Sequence, residues 1–332
     1  MVFKRYSSAI DLPVEWDENC TSYFQRRKFL AYADAYNPCR QRYYVLEDYR
    51  GFLAGACVYS LKIDLLTYSG FRSPVPMTVV GVPASVSCSG IAGKPEYIDP
   101  LLEHIYEVES GIILTLNLPP GIIPGKGICM RTLPGVELNH HFEGWEDYLS
   151  ALRTGYRRRV QMISRAFASI NSRTDICSDF TDEHYALYLQ VWNRSRTRLE
   201  KLSRDFFSHL PEEFSLVSFS YNGSLVAWHI ILRDRHDLVF FFGGTNYALN
   251  RKFMAYHNNL AAIMKEGLDG GFSRIELGQT AEVPKTRFGA VIMEKNMIAY
   301  HKNPVARAAI KMARPVLEYH KRIPEVNVLK KN

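Results

Sequence analysis

The sequence predicts a mixed α/β protein built from two similar halves, and three observations support this prediction. The chain has 332 residues, more than one compact core usually holds, so two domains of ~150 residues each are expected. Apolar residues make up 47% of the chain, enough to fill cores of that size. Segments with strand and helix spacing alternate, and in the second half their order predicts a mixed sheet with a parallel crossover.

The first half, residues 1–140, begins with a helix and continues mainly as strands. The helix is predicted at Phe24–Tyr36 and is closed by an Asn-Pro pair. Strands at Arg42–Glu47 and Phe52–Leu61 are joined by a tight turn. The remaining elements are predicted as a strand at Met77–Val82, a helix at Pro100–Val108, and strands at Ile112–Asn117 and Ile128–Leu138.

The second half, residues 141–302, begins with a long basic helix. It is predicted from Trp145 to about Ile170, with apolar residues at helical spacing on one face and arginine residues on the other. A strand near Asp175 and a helix from Thr181 to about Arg198 follow. The apolar face consists of Tyr148, Leu152, Tyr156, Val160, Ile163 and Phe167, and the basic face of Arg153, Arg157, Arg158, Arg159 and Arg165.

The rest of the second half carries the strongest short-range signals. Asn222-Gly223 predicts a hairpin between strands at Ser215–Tyr221 and Ser224–Leu232. An apolar strand (Leu238–Phe242) and the pair Gly243-Gly244 come next, followed by a helix from about Arg251 to Glu266. A buried strand (Arg274–Leu277), a loop (Gly278–Gly289) and a last strand (Ala290–Tyr300) complete this half.

The end of the chain, residues 303–332, is predicted to be a basic amphipathic helix and a tail. Asn303-Pro304 is a strong helix start, because Asn caps the first turn and proline is tolerated at its first position. Pro315 is expected to kink the helix. Such a helix either lies on a membrane or docks onto its own domain. Its apolar residues are Val305, Ala309, Met312 and Val316, and the basic residues opposite them are Arg307, Lys311, Arg314 and Lys321.

Composition and sequence motifs limit the classes of function that the protein can have. The formal charge of +7 permits contact with phosphates of nucleic acids, lipids or nucleotide cofactors without identifying one. The six cysteine residues lack metal-ligand spacing, so we interpret them as free thiols of a reducing compartment and expect no metal; their even number would also permit three disulfides. G-x-S-x-G, H-E-x-x-H and Walker motifs are absent from the sequence, which argues against hydrolases, zinc proteases and P-loop enzymes.

The sequence also bears on location. The residues after Met1 lack the apolar region of a signal peptide. Residues 73–93 carry no charge but are interrupted by prolines, so we expect loop and strand there rather than a transmembrane helix. The predicted location is the cytoplasm.

Two segments carry a resemblance to a known family. The helix segment Tyr148–Arg159 looks like the basic helix of FemAB-like proteins. The loop Glu276–Gly289 resembles their late loop, in which a glycine, a small polar stretch and a lysine precede an aromatic-glycine pair. The element order of the second half is similar to the GNAT acyltransferase fold. The resemblance implies two GNAT-like (acyl-CoA N-acyltransferase) domains in a mixed α+β chain, as in the Fem-type peptidoglycan bridge transferases.

The resemblance leaves two acyl donors open. GNAT enzymes carry R/Q-x-x-G-x-G/A between the central strand and its helix, where backbone N–H groups hold the pyrophosphate of coenzyme A. The corresponding run here, Gly243–Arg251, does not match, which weakens acyl-CoA as the donor. The Fem-type resemblance implies aminoacyl-tRNA as the donor and a muropeptide amine as the acceptor. A small molecule, a lipid or a peptide stays open as the carrier of the amine.

The late loop supplies the first candidate site residues. Lys285 and Arg287 are predicted to hold an anionic group or to stabilise an oxyanion, the alternative being a solvated loop. Glu282 is predicted to be the general base for the attacking amine, or else to form a surface ion pair with Lys285. Gln279 and Thr280 are predicted to hydrogen-bond a substrate amide, or else to satisfy their own turn.

Two further groups complete the candidate set. The GNAT resemblance suggests a tyrosine, Tyr247 or Tyr256, as the acid that protonates the departing thiolate or ribose oxygen; packed aromatic residues are the alternative. Arg157 and Arg158 on the basic helix are predicted to contact phosphate or RNA, unless they form a solvated face.

These residues lead to two functional hypotheses. The first is direct acyl transfer to an amine without a covalent enzyme intermediate, with donor and acceptor held between the two halves and the rate gained from proximity and oxyanion stabilisation. The second is a catalytically inactive GNAT-like scaffold that binds RNA or an anionic membrane surface through its basic helix.

Overall fold

The computed structural model describes residues 1–64, 66–68, 74–122 and 125–330. The first 134 residues form mainly strands, and the uncharged stretch 73–93 contributes two of them, β4 and β5, while its first residue, Ser73, lies outside the described residues. The elements are β1 (Val2–Tyr6), α1 (Glu15–Glu18), α2 (Arg27–Tyr36), β2 (Arg42–Asp48), β3 (Gly51–Asp64), β4 (Pro74–Val80), β5 (Ile91–Gly93), α3 (Ile98–Val108), β6 (Ile112–Leu118) and β7 (Ile128–Arg131).

Residues from 135 onward alternate helices and strands. The predicted hairpin is confirmed, because Asn222 and Gly223 both have positive φ angles, 50° and 79°, and join two paired strands. The elements are β8 (Gly135–Asn139), α4 (Trp145–Ala151), α5 (Thr154–Ala166), β9 (Asn171–Ile176), α6 (Asp182–Arg194), α7 (Arg204–Ser208), β10 (Phe214–Tyr221), β11 (Ser224–Asp234), β12 (Asp237–Thr245), α8 (Tyr247–Phe253), α9 (Ala255–Asp269), β13 (Arg274–Glu276), α10 (Glu282–Thr286), β14 (Val291–Met293), β15 (Asn296–Tyr300) and α11 (Pro304–Leu317).

The chain folds into two compact units, and each is assembled from separate segments. The first unit comprises Met1–Pro134, Arg196–Ser203 and Glu294–Lys321. The second comprises Gly135–Ser195, Arg204–Met293 and the described residues from Arg322 onward. These boundaries differ from the continuous ranges expected from the sequence, since residues 135–140 lie in the second unit and residues 294–302 in the first.

The sheet of the first unit has the strand order β1-β2-β3-β4-β6-β15-β7, with β5 paired to β3. Its parallel pair joins Met77–Val80 of β4 to Ile112–Thr115 of β6, and α3 lies in the connection between them. The other described pairings of this sheet are antiparallel. The helix in the parallel connection is the crossover that such a pair requires.

The sheet of the second unit has the strand order β14-β8-β13-β12-β11-β10-β9. It contains one parallel pair among its described pairings, β12 with β13, and α8 and α9 form the crossover. The predicted mixed sheet with a parallel crossover is therefore confirmed. Apolar residues of α4, α5 and α9 pack on one face of this sheet, where Tyr148, Ile163 and Met264 are fully buried with Leu238 and Ile275.

Two predicted strands each divide into two strands of different sheets. The run Ile128–Leu138 forms β7 in the first unit and β8 in the second, because Pro134 interrupts it and proline cannot donate to a sheet ladder. The predicted last strand, Ala290–Tyr300, forms β14 in the second unit and β15 in the first. Both segments therefore pass from one unit to the other.

Two predicted helices are also interrupted. The helix predicted from Trp145 ends at Ala151 and restarts at Thr154, because Leu152 pairs with Leu329 and the Arg153 amide donates to the Val328 carbonyl at 3.0 Å. The later helix is interrupted at Met254, whose φ of 50° is left-handed and cannot continue an α-helix.

Three further findings concern the chain as a whole. All six cysteine residues carry free thiols. Over residues 1–64, 66–68, 74–122 and 125–330, no helix combines the length and apolar content needed to cross a bilayer. Within the same ranges, no cluster of three or more His, Cys, Asp or Glu side chains is arranged to hold a metal ion.

Candidate functional site

The candidate site lies where β12 and β13 separate. The parallel pairing joins only Asp237–Val239 to Arg274–Glu276, although β12 continues to Thr245. The register of β12 on β11 also shifts between Ile230 and Ile231, which marks a β-bulge. The backbone of the second half of β12 is thus released from β13, and an open strand edge of this kind can hydrogen-bond a ligand.

The segment that follows β13 is held in an unusual backbone conformation. Gly278, Thr280 and Ala281 have φ angles of 67°, 61° and 48°, all in the left-handed region. Lys285 fixes this segment, because its Nζ donates to the carbonyl of Gln279 at 2.8 Å and to that of Gly278 at 3.3 Å. Left-handed non-glycine residues are costly and tend to persist at functional sites.

Glu282 and Lys285 are buried ionisable residues. The sequence placed them in a loop, whereas the structure places them on the short helix α10, with exposed fractions of 2% and 3%. Burial lowers the pKa of Lys285 to about 7, while the nearby carboxylates of Glu282 and Glu276 act in the opposite direction. Buried groups with a perturbed pKa at a strand end are characteristic of functional sites.

Tyr256 joins this pair from α9. Burial raises its pKa, and the proximity of Tyr247 and of the Glu282 carboxylate raises the pKa further. The Tyr256 hydroxyl therefore stays protonated at neutral pH, as a proton donor must. Glu282 thus lies close enough to influence the pKa of both Tyr256 and Lys285, and Tyr247 lies close enough to influence that of Tyr256.

The start of α8, directly after β12, is already capped by the chain itself. The Oδ1 of Asn246 accepts from the Ala248 amide at 3.1 Å, and the Oε1 of Gln190 accepts from the Tyr247 amide at 3.2 Å. The Tyr247 ring also faces the Arg194 guanidinium, 4.0 Å from its centroid. Two of the backbone amides that could face an anion at this helix start are therefore occupied.

A second group of side chains near the site is basic. His257 of α9 has a pKa lowered first by burial and then by the Arg159 and Arg287 guanidinium groups. Arg159 comes from α5 and Arg287 follows α10, so three elements converge on one histidine. We call Arg159, His257 and Arg287 the basic triad.

The remaining predicted site residues, Gln279, Thr280, Arg157 and Arg158, have fewer contacts with Glu282, Lys285 and Tyr256, or none among those described. Gln279 contributes its backbone carbonyl to Lys285, and Thr280 is half-buried in the left-handed turn. Arg157 and Arg158 lie on α5, one half-buried and the other exposed, and the contacts described for the chain do not connect them to Lys285.

Sequence reasoning missed Gln190, Asn246 and Glu276. Asn246 stands directly before a helix and is a recognisable N-cap type, so its role could have been found from the sequence. Gln190 lies 57 positions from its partner on a different helix, and no local signal marks that contact.

Comparison with known proteins agrees with this description. Residues 143–286 match the sequence model of the acetyltransferase (GNAT) domain. No curated protein sequence matches the chain significantly.

Solved structures share the fold at low sequence identity. FemX has a TM-score of 0.56 and 9% identity, with 94% of this chain and 100% of that chain covered. The C-terminal domain of a putative lysylphosphatidylglycerol synthetase from Agrobacterium fabrum has a TM-score of 0.54 and 12% identity, covering 90% of this chain and 92% of that one. A tandem GNAT protein from the clavulanic acid biosynthesis pathway has a TM-score of 0.50 and 9% identity, covering 91% and 99%.

The predicted fold class of two GNAT-like domains is confirmed by the two mixed sheets and by these structures, and the predicted enzyme class by the matched domain. Residues 143–286 therefore match an acetyltransferase (GNAT) domain, and the fold of the chain is similar to those of FemX and the tandem GNAT protein; together these findings support an acyltransferase.

Proposed function

We propose that this protein transfers an aminoacyl group to an amine by direct attack, at the group formed by Glu282, Lys285 and Tyr256. The observation that carries the proposal is the burial of Glu282 and Lys285 beside the point where β12 and β13 separate. Two ionisable side chains are rarely buried together unless they are paired or functional. A catalytically inactive scaffold is not favoured, because the second unit matches an acetyltransferase domain.

The chemistry assigns one role to each residue. The amine nitrogen attacks the acyl carbonyl carbon and forms the new C–N bond, and Glu282 takes the proton that the nitrogen loses. The bond from the acyl carbon to the donor's leaving atom then breaks, and Tyr256 supplies the proton to that atom. Lys285 positions the turn after β13, and its charge favours the oxyanion of the tetrahedral intermediate.

The same geometry gives Gln279, Thr280 and Tyr247 binding roles. Gln279 and Thr280 lie in the turn that Lys285 fixes, so we assign them to hydrogen bonds with the acceptor amide. Tyr247 is the first residue of α8 and lies close enough to Tyr256 to raise its pKa, and we assign it to the donor side.

The capped start of α8 supports aminoacyl-tRNA over acyl-CoA as the donor. Coenzyme A enzymes of this fold use free backbone amides at that helix start for the pyrophosphate, and here Asn246 and Gln190 occupy two of them. The basic triad offers an alternative contact for donor phosphates, and Arg157 and Arg158 extend positive charge along α5. The Fem-type resemblance adds a muropeptide amine as the acceptor to be tested first.

A transfer assay tests the proposal. The protein is incubated with a muropeptide amine and either radiolabelled aminoacyl-tRNA or radiolabelled acetyl-CoA, and label in the acceptor is measured. We expect transfer from aminoacyl-tRNA, and Glu282→Gln should lower kcat on the order of 10²-fold or more. Glu146→Gln is the matched control, because Glu146 is exposed on α4 and should leave kcat unchanged.

Each negative result has a separate meaning. Transfer from acetyl-CoA alone would contradict the assigned donor and leave the assigned residues in place; the matched acetyltransferase domain makes this the second candidate function. Full activity of a folded Glu282→Gln variant would contradict the assignment of the base.

A further inference from the structure

Helix α11 presents more than one kind of surface. It spans Pro304–Leu317, about 21 Å at the usual rise, and Asn303 caps it by accepting from the Val305 and Ala306 amides. The sequence of the helix contains no aspartate or glutamate. Its side chains divide into an inward stripe, an exposed apolar stripe and a basic stripe.

The inward stripe attaches the helix to the first unit. Leu317 is buried, and Ile310 and Ala313 pack against the same cluster, which contains Leu114 and Met297 of the sheet. The expectation that the helix docks onto its own domain is therefore met by this stripe. The attachment leaves the other apolar residues of the helix uncovered.

The exposed apolar stripe consists of Val305, Ala309, Met312 and Val316. Their spacing of four, three and four residues places them on one face. Val305 is 75% exposed, Met312 83% and Val316 45%. Single exposed apolar residues are common on protein surfaces, but an aligned row on one helix marks an interaction site.

The basic stripe runs along the opposite side of the helix from the exposed apolar stripe, with the inward stripe between them. It consists of Arg307, Lys311 and Arg314, spaced at four and three residues. Arg314 pairs with Glu318, but that carboxylate is shared with Arg131, so a net positive charge remains. A pocket of about 220 Å³, lined by Lys126, Gly127, Tyr300 and Arg307, lies beside this stripe, and Lys126 forms an ion pair with Glu103 at 3.0 Å.

We propose that α11 docks the protein on the surface of an anionic lipid bilayer. An interfacial helix needs an apolar face for the acyl boundary and cationic residues for the headgroup phosphates, and α11 carries both without an opposing acid of its own. A second copy of the chain is a poorer occupant, because covering the apolar stripe would leave the basic stripe on the opposite side of the helix without an anionic partner. The proposal does not depend on the transfer reaction.

Vesicle binding tests the proposal on the full chain. The protein is mixed with vesicles of phosphatidylcholine alone, or of phosphatidylcholine with about one third phosphatidylglycerol, and the bound fraction is measured by flotation. We expect binding to the anionic vesicles only, weakening as salt is raised. Lys311→Gln should weaken it about fivefold.

Matched substitutions identify the face. Met312→Glu should reduce binding to anionic vesicles at least tenfold, while Met162→Glu, which makes the same change on an exposed position of α5, should leave binding unchanged. Circular dichroism and thermal unfolding confirm that both variants are folded.

Three outcomes would overturn the proposal. The first is no binding by the wild-type protein, and the second is equal loss of binding in the Met162 and Met312 variants. The third is a dimer in sedimentation that Met312→Glu dissociates, which would assign the stripe to a second copy.

Discussion

Lys285 is a buried cation with two backbone carbonyls as hydrogen-bond acceptors. The carbonyls of Gly278 and Gln279 satisfy two of its three N–H donors, and the carboxylates of Glu276 and Glu282 lie close enough to favour its charge. Burial outweighs these contacts and brings its pKa down to about 7. The residue therefore changes charge within the physiological pH range, which its ordinary value of 10.5 would not allow.

The first prediction concerns the pH dependence of stability. The folded-state pKa of Lys285 lies below the unfolded value of 10.5, so the unfolded chain binds more protons between about pH 7 and 10.5. The stability attributable to Lys285 is complete above pH 10.5 and is lost as the pH falls through about 7. Across this window the free energy of unfolding should rise with pH by up to about 1.4 kcal/mol per unit more in wild type than in Lys285→Met.

Denaturant unfolding at pH 7.5, 8.5 and 9.5 measures that difference. Other buried groups titrate in both proteins, so only the wild-type minus variant difference is interpreted. Parallel pH profiles of the two proteins would contradict the depressed pKa.

At the scale of elements, the site depends on how closely α9 approaches β13. Gly267 of α9 faces Ile275 of β13, and a Cβ atom at Gly267 would meet Ile275 Cδ1 at 2.4 Å and Cγ1 at 2.5 Å. Tyr256 lies on the same helix, and the turn fixed by Lys285 follows the same strand. A residue larger than glycine at this position would therefore move two elements that carry site residues.

The second prediction uses two helical glycines as a matched pair. Gly267→Ala should lower the free energy of unfolding by about 1–3 kcal/mol, because the added methyl overpacks the contact with Ile275. Gly155→Ala on α5 should raise it by about 0.5–1 kcal/mol, since a Cβ there meets nothing within 4 Å and alanine favours the helix. Thermal and denaturant unfolding measure both; equal effects of the two variants would contradict the close approach.

Elements with strong local signals could be predicted, and interruptions caused by distant contacts could not. The Asn222-Gly223 hairpin has a local cause, the preference of both residues for positive φ. The break before Thr154 depends on residues 328–330, more than 170 positions away, so the helical pattern runs through it unmarked. The sequence indicated Lys285 and Glu282 as site residues, but it did not predict that both side chains are buried.

At the scale of the whole molecule, each sheet contains a strand from outside the continuous domain that the sequence predicts for it. Strand β15, near residue 300, lies between β6 and β7 in the sheet of the first unit. Strand β8, which precedes the long helical region, lies between β14 and β13 in the sheet of the second. The continuous domains expected from the sequence would each lose an internal strand.

The third prediction follows from these internal strands. A fragment of residues 1–140 lacks β15, so β6 and β7 lose their shared neighbour, and α11 with its buried Leu317 is also missing. A fragment of residues 141–332 lacks β8 and leaves β13 and β14 with unpaired edges. Neither fragment should unfold cooperatively on its own, because unpaired strand edges and exposed apolar faces favour aggregation.

Expression of each fragment, followed by circular dichroism and thermal unfolding, tests whether it unfolds cooperatively. The full chain is the control, and it should give a cooperative transition under the same conditions. A cooperative transition in the 1–140 fragment would instead show that its sheet does not need β15, and the simple boundary at residue 140 would then be correct.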